Sequence, residues 1–235
     1  ASVFDNLTAM QKTIEKRKGE IKYISEDKAK QKEAEDSLYQ KLLDGFDVNV
    51  LFVGDSIAEG GQGEKGWCTL LQNNLRKTYG NSVAFTNVSM AGNASYAGYV
   101  RTMALNDDVD YDLAVICYGQ NDGIDGFSTN YESIIRAIRS KYPNCSIISI
   151  LESSQRTYTE KMITIQSLCE HYSIPVADTI AAFNNSGKAY DELTGDGVHP
   201  NEAGQEIYFE TVKSVIDDNV AASTGKMAEA DVINA

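Results

Sequence analysis

The sequence predicts an α/β protein: a three-layer α/β/α arrangement around a five-stranded, mostly parallel sheet, plus an N-terminal helical extension. Three observations predict it. Five short apolar runs recur after Gly45, each is followed by a stretch with helical spacing, and the core runs are continuous rather than alternating. Continuous apolar runs suit strands buried on both faces, and strands that alternate with helices assemble as βαβ units.

The elements follow in order. Residues 1–45 form a charged leader without proline. Leu7, Met10, Ile14, Ile21 and Ile24 follow a 3/4 spacing that places them on one helical stripe. The same register then meets Arg17, Lys28, Gln31 and Glu35, so the stripe fails before four heptads. Ser25 before Glu26 and Asp27 reads as an N-cap with first-turn acids, and Gly45 after Leu42-Leu43-Asp44 as a C-cap. The expectation is one broken helix, or two joined between Gly19 and Ser25. It serves as a surface helix or linker, or else as a coiled coil that makes a homo-oligomer. Either way it carries no chemistry.

Residues 46–220 form the core domain. Strand runs at Val48–Val53, Val83–Val88, Leu113–Tyr118, Ser146–Leu151 and Pro175–Thr179 alternate with helical stretches. Those stretches are Trp67–Tyr79, Tyr96–Leu105, Tyr131–Lys141, Glu160–Tyr172 and Ala203–Ile216. From Asn219 on the residues are small and polar, and 221–235 is expected to be a flexible tail.

Composition narrows the function. The chain of 235 residues is 42% hydrophobic and 23% charged, ordinary for a globular protein, and no stretch reaches the roughly 20 apolar residues of a membrane span. Its net charge of −13 has the wrong sign for a nucleic-acid binder. Between Gln11 and Lys41 the balance is nine basic to seven acidic, so the remainder carries −15 and repels polyanions. Four scattered cysteines (Cys68, Cys117, Cys145, Cys169) and two histidines offer neither a metal cage nor a disulfide framework; buried or free thiols are expected, and no metal or cofactor. The chain starts at Ala1 without Met or a signal-like apolar run, which suggests processing from something longer. A stalk joining the core to a removed anchor would suit an extracytoplasmic or cell-surface place; a cytoplasmic one stays open.

In an open parallel sheet, ligands bind beyond the carboxyl ends of the strands. The residues just past each run are therefore the ones to read. The first run ends in Gly54-Asp55-Ser56, the second is followed by Ser89-Met90-Ala91-Gly92-Asn93, and the third by Gly119-Gln120-Asn121-Asp122. Asp196-Gly197-Val198-His199-Pro200 precedes the last helix. Each block alone reads as a turn. All four in this order, at one sheet edge, read as a site.

Here the sequence resembles the SGNH (GDSL-type) hydrolases, a lipase/acylhydrolase family. The four blocks match Gly54-Asp55-Ser56, Gly92, Gly119-Gln120-Asn121-Asp122 and Asp196-Gly197-Val198-His199, and Gly66-Trp67 with Leu70 and Leu71 resembles the family's first helix. The resemblance spans about Asp47 to Val220 and implies a flavodoxin-like fold. It implies Ser56 as nucleophile, His199 as general base and Asp196 as the carboxylate that orients it. The Ser56 and Gly92 amides and the Asn121 side chain would form the oxyanion hole, with Asp55 and Asp122 supporting. Chemistry points the same way: a serine hydroxyl needs a base, and His199 lies three residues after an aspartate able to fix its tautomer. His171 sits in a helical stretch with no motif beside it and reads as structural.

Two decoys are set aside. Gly61-Gln62-Gly63-Glu64-Lys65-Gly66 fits the dinucleotide fingerprint but begins eight residues after Val53, too late, and is read as a flexible loop beside the site. Asp107, Asp108, Asp110 and Asp112 lack EF-hand spacing and read as a solvated turn. No Walker lysine motif and no G-x-S-x-G elbow occurs. The expected activity is a serine esterase working through an acyl-serine, on a short acyl such as acetyl carried by a small molecule or carbohydrate. Tyr96, Tyr99 and Tyr118 are candidate stacking faces for a sugar, or core. An acyltransferase using the same triad, and a non-catalytic carbohydrate-binding or scaffolding module, are the other readings.

Overall fold

The computed structural model describes residue 12, residues 26–80 and residues 82–233, with side chains as far as residue 223. The stripe from Leu7 to Ile24 lies outside the described residues. The first helix, α1, covers residues 26–44. It is followed by β1 (Val48–Gly54), α2 (Ser56–Gly60), α3 (Trp67–Tyr79), β2 (Val83–Asn87), α4 (Ser95–Met103), β3 (Leu113–Cys117) and α5 (Phe127–Lys141). Then come β4 (Ser146–Leu151), α6 (Glu160–Tyr172), β5 (Val176–Asp178), α7 (Thr179–Asn184) and α8 (Glu202–Ile233). The five strands pair in the order β2-β1-β3-β4-β5, every pair parallel. The sheet is thus wholly, not mostly, parallel.

Alternation along each strand splits the core in two. Val50 and Phe52 of β1 join Val115, Ile148, Ile150, Trp67, Leu71, Tyr208 and Val212 on one face. Leu51 and Val53 join Ala114, Ile116, Ile147, Tyr131, Ile134, Ile138, Met162 and Ile165 on the other. Both faces of each central strand are buried under helices, which explains the continuous apolar runs. The four cysteines are free and buried within this core.

Two expectations about the ends change. Helix α1 is part of the packing, since Leu38, Tyr39 and Leu42 are buried in the first core cluster. Gln31, which breaks the apolar stripe in the sequence, is itself buried. Its amide donates to the Ile147 carbonyl (3.3 Å), while Arg139 Nη2 donates to its Oε1 (3.2 Å). A buried amide with partners on both ends costs little, so the stripe tolerates it. At the other end, α8 runs on to Ile233, well past the predicted stop at Ile216.

The acidic run changes too. Asp112 is buried: its carboxylate accepts from the Asn49 N–H (2.9 Å) and from Lys41 Nζ (2.6 Å), tying α1 to β1. The Gly61–Gly66 loop is likewise tied down. The Gly61 carbonyl accepts from the Cys68 and Thr69 N–H groups (3.1 and 3.2 Å), and the buried Trp67 donates from Nε1 to the Ile57 carbonyl (3.1 Å). The order β2-β1-β3 makes the gap beyond β1 and β3 the point where the chain reverses winding direction, the expected place for a site.

Candidate active site

Helix α2 starts where β1 stops, and Gly54 permits the turn. A Cβ there would stand 2.7 Å from the Cys117 carbonyl oxygen and 2.6 Å from Ala58 Cβ, so no side chain fits. Asp55 is fully buried and caps the helix, its Oδ1 accepting from the Ile57 N–H (2.9 Å). Ser56 is the first residue of α2 and half-buried, placing its hydroxyl at the carboxyl edge of the sheet.

The partner loop arrives from the far end of the chain. Tyr190 Oη donates to the Gly197 carbonyl (3.2 Å), and Thr194 and Pro200 form an antiparallel bridge. Asn201 Oδ1 accepts from the Ala203 and Gly204 N–H groups (3.0 and 3.2 Å), capping α8. Within the loop Asp196 Oδ1 accepts from the Val198 and His199 N–H groups (3.0 and 2.8 Å), and Oδ2 lies 2.6 Å from His199 Nδ1. These bonds, the imidazole contact first, hold the Asp196 carboxyl well below the usual carboxylate range. An ionised Asp196 keeps the proton on Nδ1, which leaves Nε2 as an acceptor. Ser56 Oγ stands 2.8 Å from that Nε2.

Two further loops flank the serine. Met90 N–H donates to the Gly54 carbonyl (3.0 Å) and Ala91 N–H to Glu59 Oε2 (2.9 Å), which pins the 89–93 loop beside α2. Gly92 sits at φ +73°, a left-handed conformation that favours glycine. Among the described residues, neither the Ser56 nor the Gly92 N–H has an intramolecular partner. Asn121 Nδ2 donates to the Asn93 carbonyl (3.1 Å), linking the third loop to the second. Asp122 is buried and accepts on Oδ1 from the Ser95 N–H (2.9 Å) and hydroxyl (2.5 Å). It braces the loop against α4.

The family is decided by the sequence of the core as a whole. The GDSL-like lipase/acylhydrolase family profile matches residues 52–207, more than half of the chain. The chain belongs to this family. An arylesterase of Vibrio mimicus is 27% identical over 173 residues, covering 69% of this chain and 85% of that protein. Among solved structures, a two-domain esterase active on acetylated mannans superposes with a TM-score of 0.69 at 20% identity, over 77% of this chain and 52% of that one. The chain therefore spans about half the length of that protein. An acetyl xylan esterase superposes with a TM-score of 0.61 at 22% identity, over 71% of this chain and 98% of that one. Like its family, this protein is an ester-hydrolysing enzyme.

The structure thus brings together Ser56, Asp196 and His199, and sets Gly92 and Asn121 on loops tied to one another through Asn93. Of the three tyrosines, Tyr118 is fully buried and belongs to the core, while Tyr96 is exposed on the first turn of α4. His171 packs edge-on against Tyr172 on α6, away from these loops.

One residue of this esterase escaped the sequence reading. Glu152, the first residue beyond β4, is fully buried, and Cys117 Sγ donates to its Oε1 (3.5 Å). A carboxylate oxygen of Asp55, one of Glu152 and Cys117 Sγ all lie within 4.8 Å of one another. Its signal in the sequence is its place, the first position past a strand's carboxyl end. Lys161 adds a second brace from α6, bonding the carbonyls of Gly119 and Asp122 (the latter at 2.8 Å).

Proposed function

We propose that the enzyme cleaves short acyl esters, acetyl groups on carbohydrate in particular, through an acyl-serine intermediate. The observation that carries this reading is the unbroken chain of contacts from Asp196 Oδ2 to His199 Nδ1 (2.6 Å) and from His199 Nε2 to Ser56 Oγ (2.8 Å). In that chain His199 takes the Ser56 proton as Oγ attacks the ester carbonyl, and Asp196 stabilises the imidazolium that forms. The oxyanion faces the unpartnered Ser56 and Gly92 N–H groups and the second amide hydrogen of Asn121, whose first is held by Asn93. His199 returns its proton to the leaving alcohol, then activates the water that releases the acid.

Two observations support the substrate class. Side chains of His199 and Asp196 are 47% and 56% exposed, so the reacting centre opens directly to solvent and admits a bulky alcohol. Two of the similar folds belong to enzymes described as acting on acetylated mannans or on acetyl xylan. The test is a series of p-nitrophenyl esters from acetate to long chains, followed by acetate release from acetylated sugars. Acetate is expected to be preferred and acetylated oligosaccharides to release acetate; a maximum at long chains rejects the substrate class. Ser56→Ala is expected to abolish turnover with the fold retained, and wild-type turnover in that variant rejects the mechanism.

A further inference from the structure

Beneath the nucleophile lies an acidic cluster that the triad does not use. Asp55 and Glu152 are both 0% exposed. Asp55 caps α2 with Oδ1, and its backbone N–H donates to the Cys117 carbonyl (3.1 Å). Glu152 Oε1 takes the Cys117 thiol. The remaining oxygens, Asp55 Oδ2 and Glu152 Oε2, are both buried and have no donor. The two carboxyls approach within 4.8 Å of one another; unpartnered carboxylate oxygens buried so close together are costly, and a single shared proton relieves both.

We propose that Asp55 and Glu152 form an acid pair holding one proton, and that Glu152 acts through Asp55 as a positioning residue for Ser56. The proposal rests on Ser56 being the nucleophile.

Among the described residues no ion pair joins the carboxyls to a lysine or arginine, and besides the Cys117 thiol Glu152 has the Gln120 N–H as a donor. From β3 it is faced by Cys117 and Tyr118, from the following loop by Asp122, from α5 by Tyr131 and from α8 by Tyr208. Each of these is neutral or negative. Lys161 on α6 is bonded to the Gly119 and Asp122 carbonyls, and Arg101 on α4 donates to the Val88 carbonyl (3.5 Å). His199 faces the pair from the solvent side. Burial pushes the Asp55 carboxyl up to about 6, and burial together with the Asp55 charge pushes Glu152 well above the usual range. The proton resides on Glu152, which its burial and the Asp55 charge both push up, while Asp55 accepts the Ile57 N–H as a carboxylate.

The pair matters to catalysis through the main chain. Asp55 is joined to Ser56, and its cap on Ile57 sets where α2 begins. While Glu152 holds its proton, the Asp55 carboxylate is held from both sides. Loss of that proton sets two negative charges together in a dry site, and the relief open to them is for Asp55 to swing out and carry Ser56 off line.

The experiment measures kcat and KM against pH for the wild type, Glu152→Gln and Glu152→Ala on p-nitrophenyl acetate, with Ser56→Ala as control. The wild type is expected to lose kcat on the alkaline side with the slope of one proton. Glu152→Gln, a permanent neutral donor, keeps most of the neutral-pH kcat and lacks that limb. Glu152→Ala loses on the order of 100-fold in kcat with KM little changed, the cost of about 1 Å of misplacement. An unaltered alkaline limb in Glu152→Gln overturns the proposal, as does full activity in Glu152→Ala. Infrared spectra give a readout independent of activity and of the variants' folding: the wild type at neutral pH must show the carbonyl band of a protonated carboxylic acid, and its absence overturns the pair. A bound divalent metal whose chelation lowers kcat overturns it as well. Wild-type turnover in Ser56→Ala condemns the triad instead and leaves the infrared result standing.

Discussion

Asn121 reaches the site already committed at one end. Its amide donates one hydrogen to the Asn93 carbonyl at 3.1 Å, so in the proposed oxyanion hole the group is aimed before substrate arrives. A donor aimed in advance spends no reorganisation energy as negative charge develops, and removing one such donor costs about 10²–10³ in kcat. Asn121→Ala is therefore expected to lower kcat by that range with KM nearly unchanged, read by steady-state kinetics on p-nitrophenyl acetate. A matching rise in KM would mean that the amide binds the ground state instead. Asp122, next in sequence, serves Ser95 by accepting from its N–H and its hydroxyl.

Among the elements, α1 has the role that composition conceals. Its buried stripe runs Asp27, Gln31, Ala34, Leu38 and Leu42, with two polar members. The Arg139 guanidinium stands 3.8 Å from Asp27 and donates to Gln31, so a cation on α5 compensates both. Leu38, 1% exposed, sits in the core cluster that includes Trp67 and Ile57. Leu38→Ala is expected to lower the unfolding free energy by about 2–5 kcal/mol in urea titration, with kcat of the folded enzyme retained. Deleting the leader through residue 43, harmless if it were a mere linker, would uncover this core and is expected to cost more. Helix α2 is the opposite case: five residues, too short to persist alone, held by the Asp55 cap and the Trp67 indole.

At the scale of the whole molecule, two sets of carboxyls pull stability in opposite directions with pH. Asp55 is raised from 3.8 to about 6, so its contribution is intact below 3.8 and lost as pH rises through about 6. Glu152, raised above 4.5, extends the same loss to higher pH. Asp196 is lowered, so its contribution is present above 3.8 and lost as pH falls. Replacing Glu152 by Gln removes Glu152's share of the first trend and leaves the second. The melting temperature of the wild type minus that of Glu152→Gln is expected to become steadily more negative as pH rises from 4 upward, read by thermal scans in matched buffers. A difference independent of pH would contradict it.

Much of this enzyme could be read in one dimension. The five βα repeats, the sheet edge that carries the site and the blocks holding Ser56, Gly92, Asn121, Asp196 and His199 are local patterns, because strand periodicity and turn chemistry act over a few residues. What only the tertiary structure decided involves residues far apart in the chain whose polarity misleads. Gln31 is buried because Ile147 and Arg139 meet it, Asp112 because Lys41 does, and Glu152 because Asp55 and Cys117 lie across the sheet. A polar side chain in sequence predicts water; whether it is buried depends on the partner that folding brings to it.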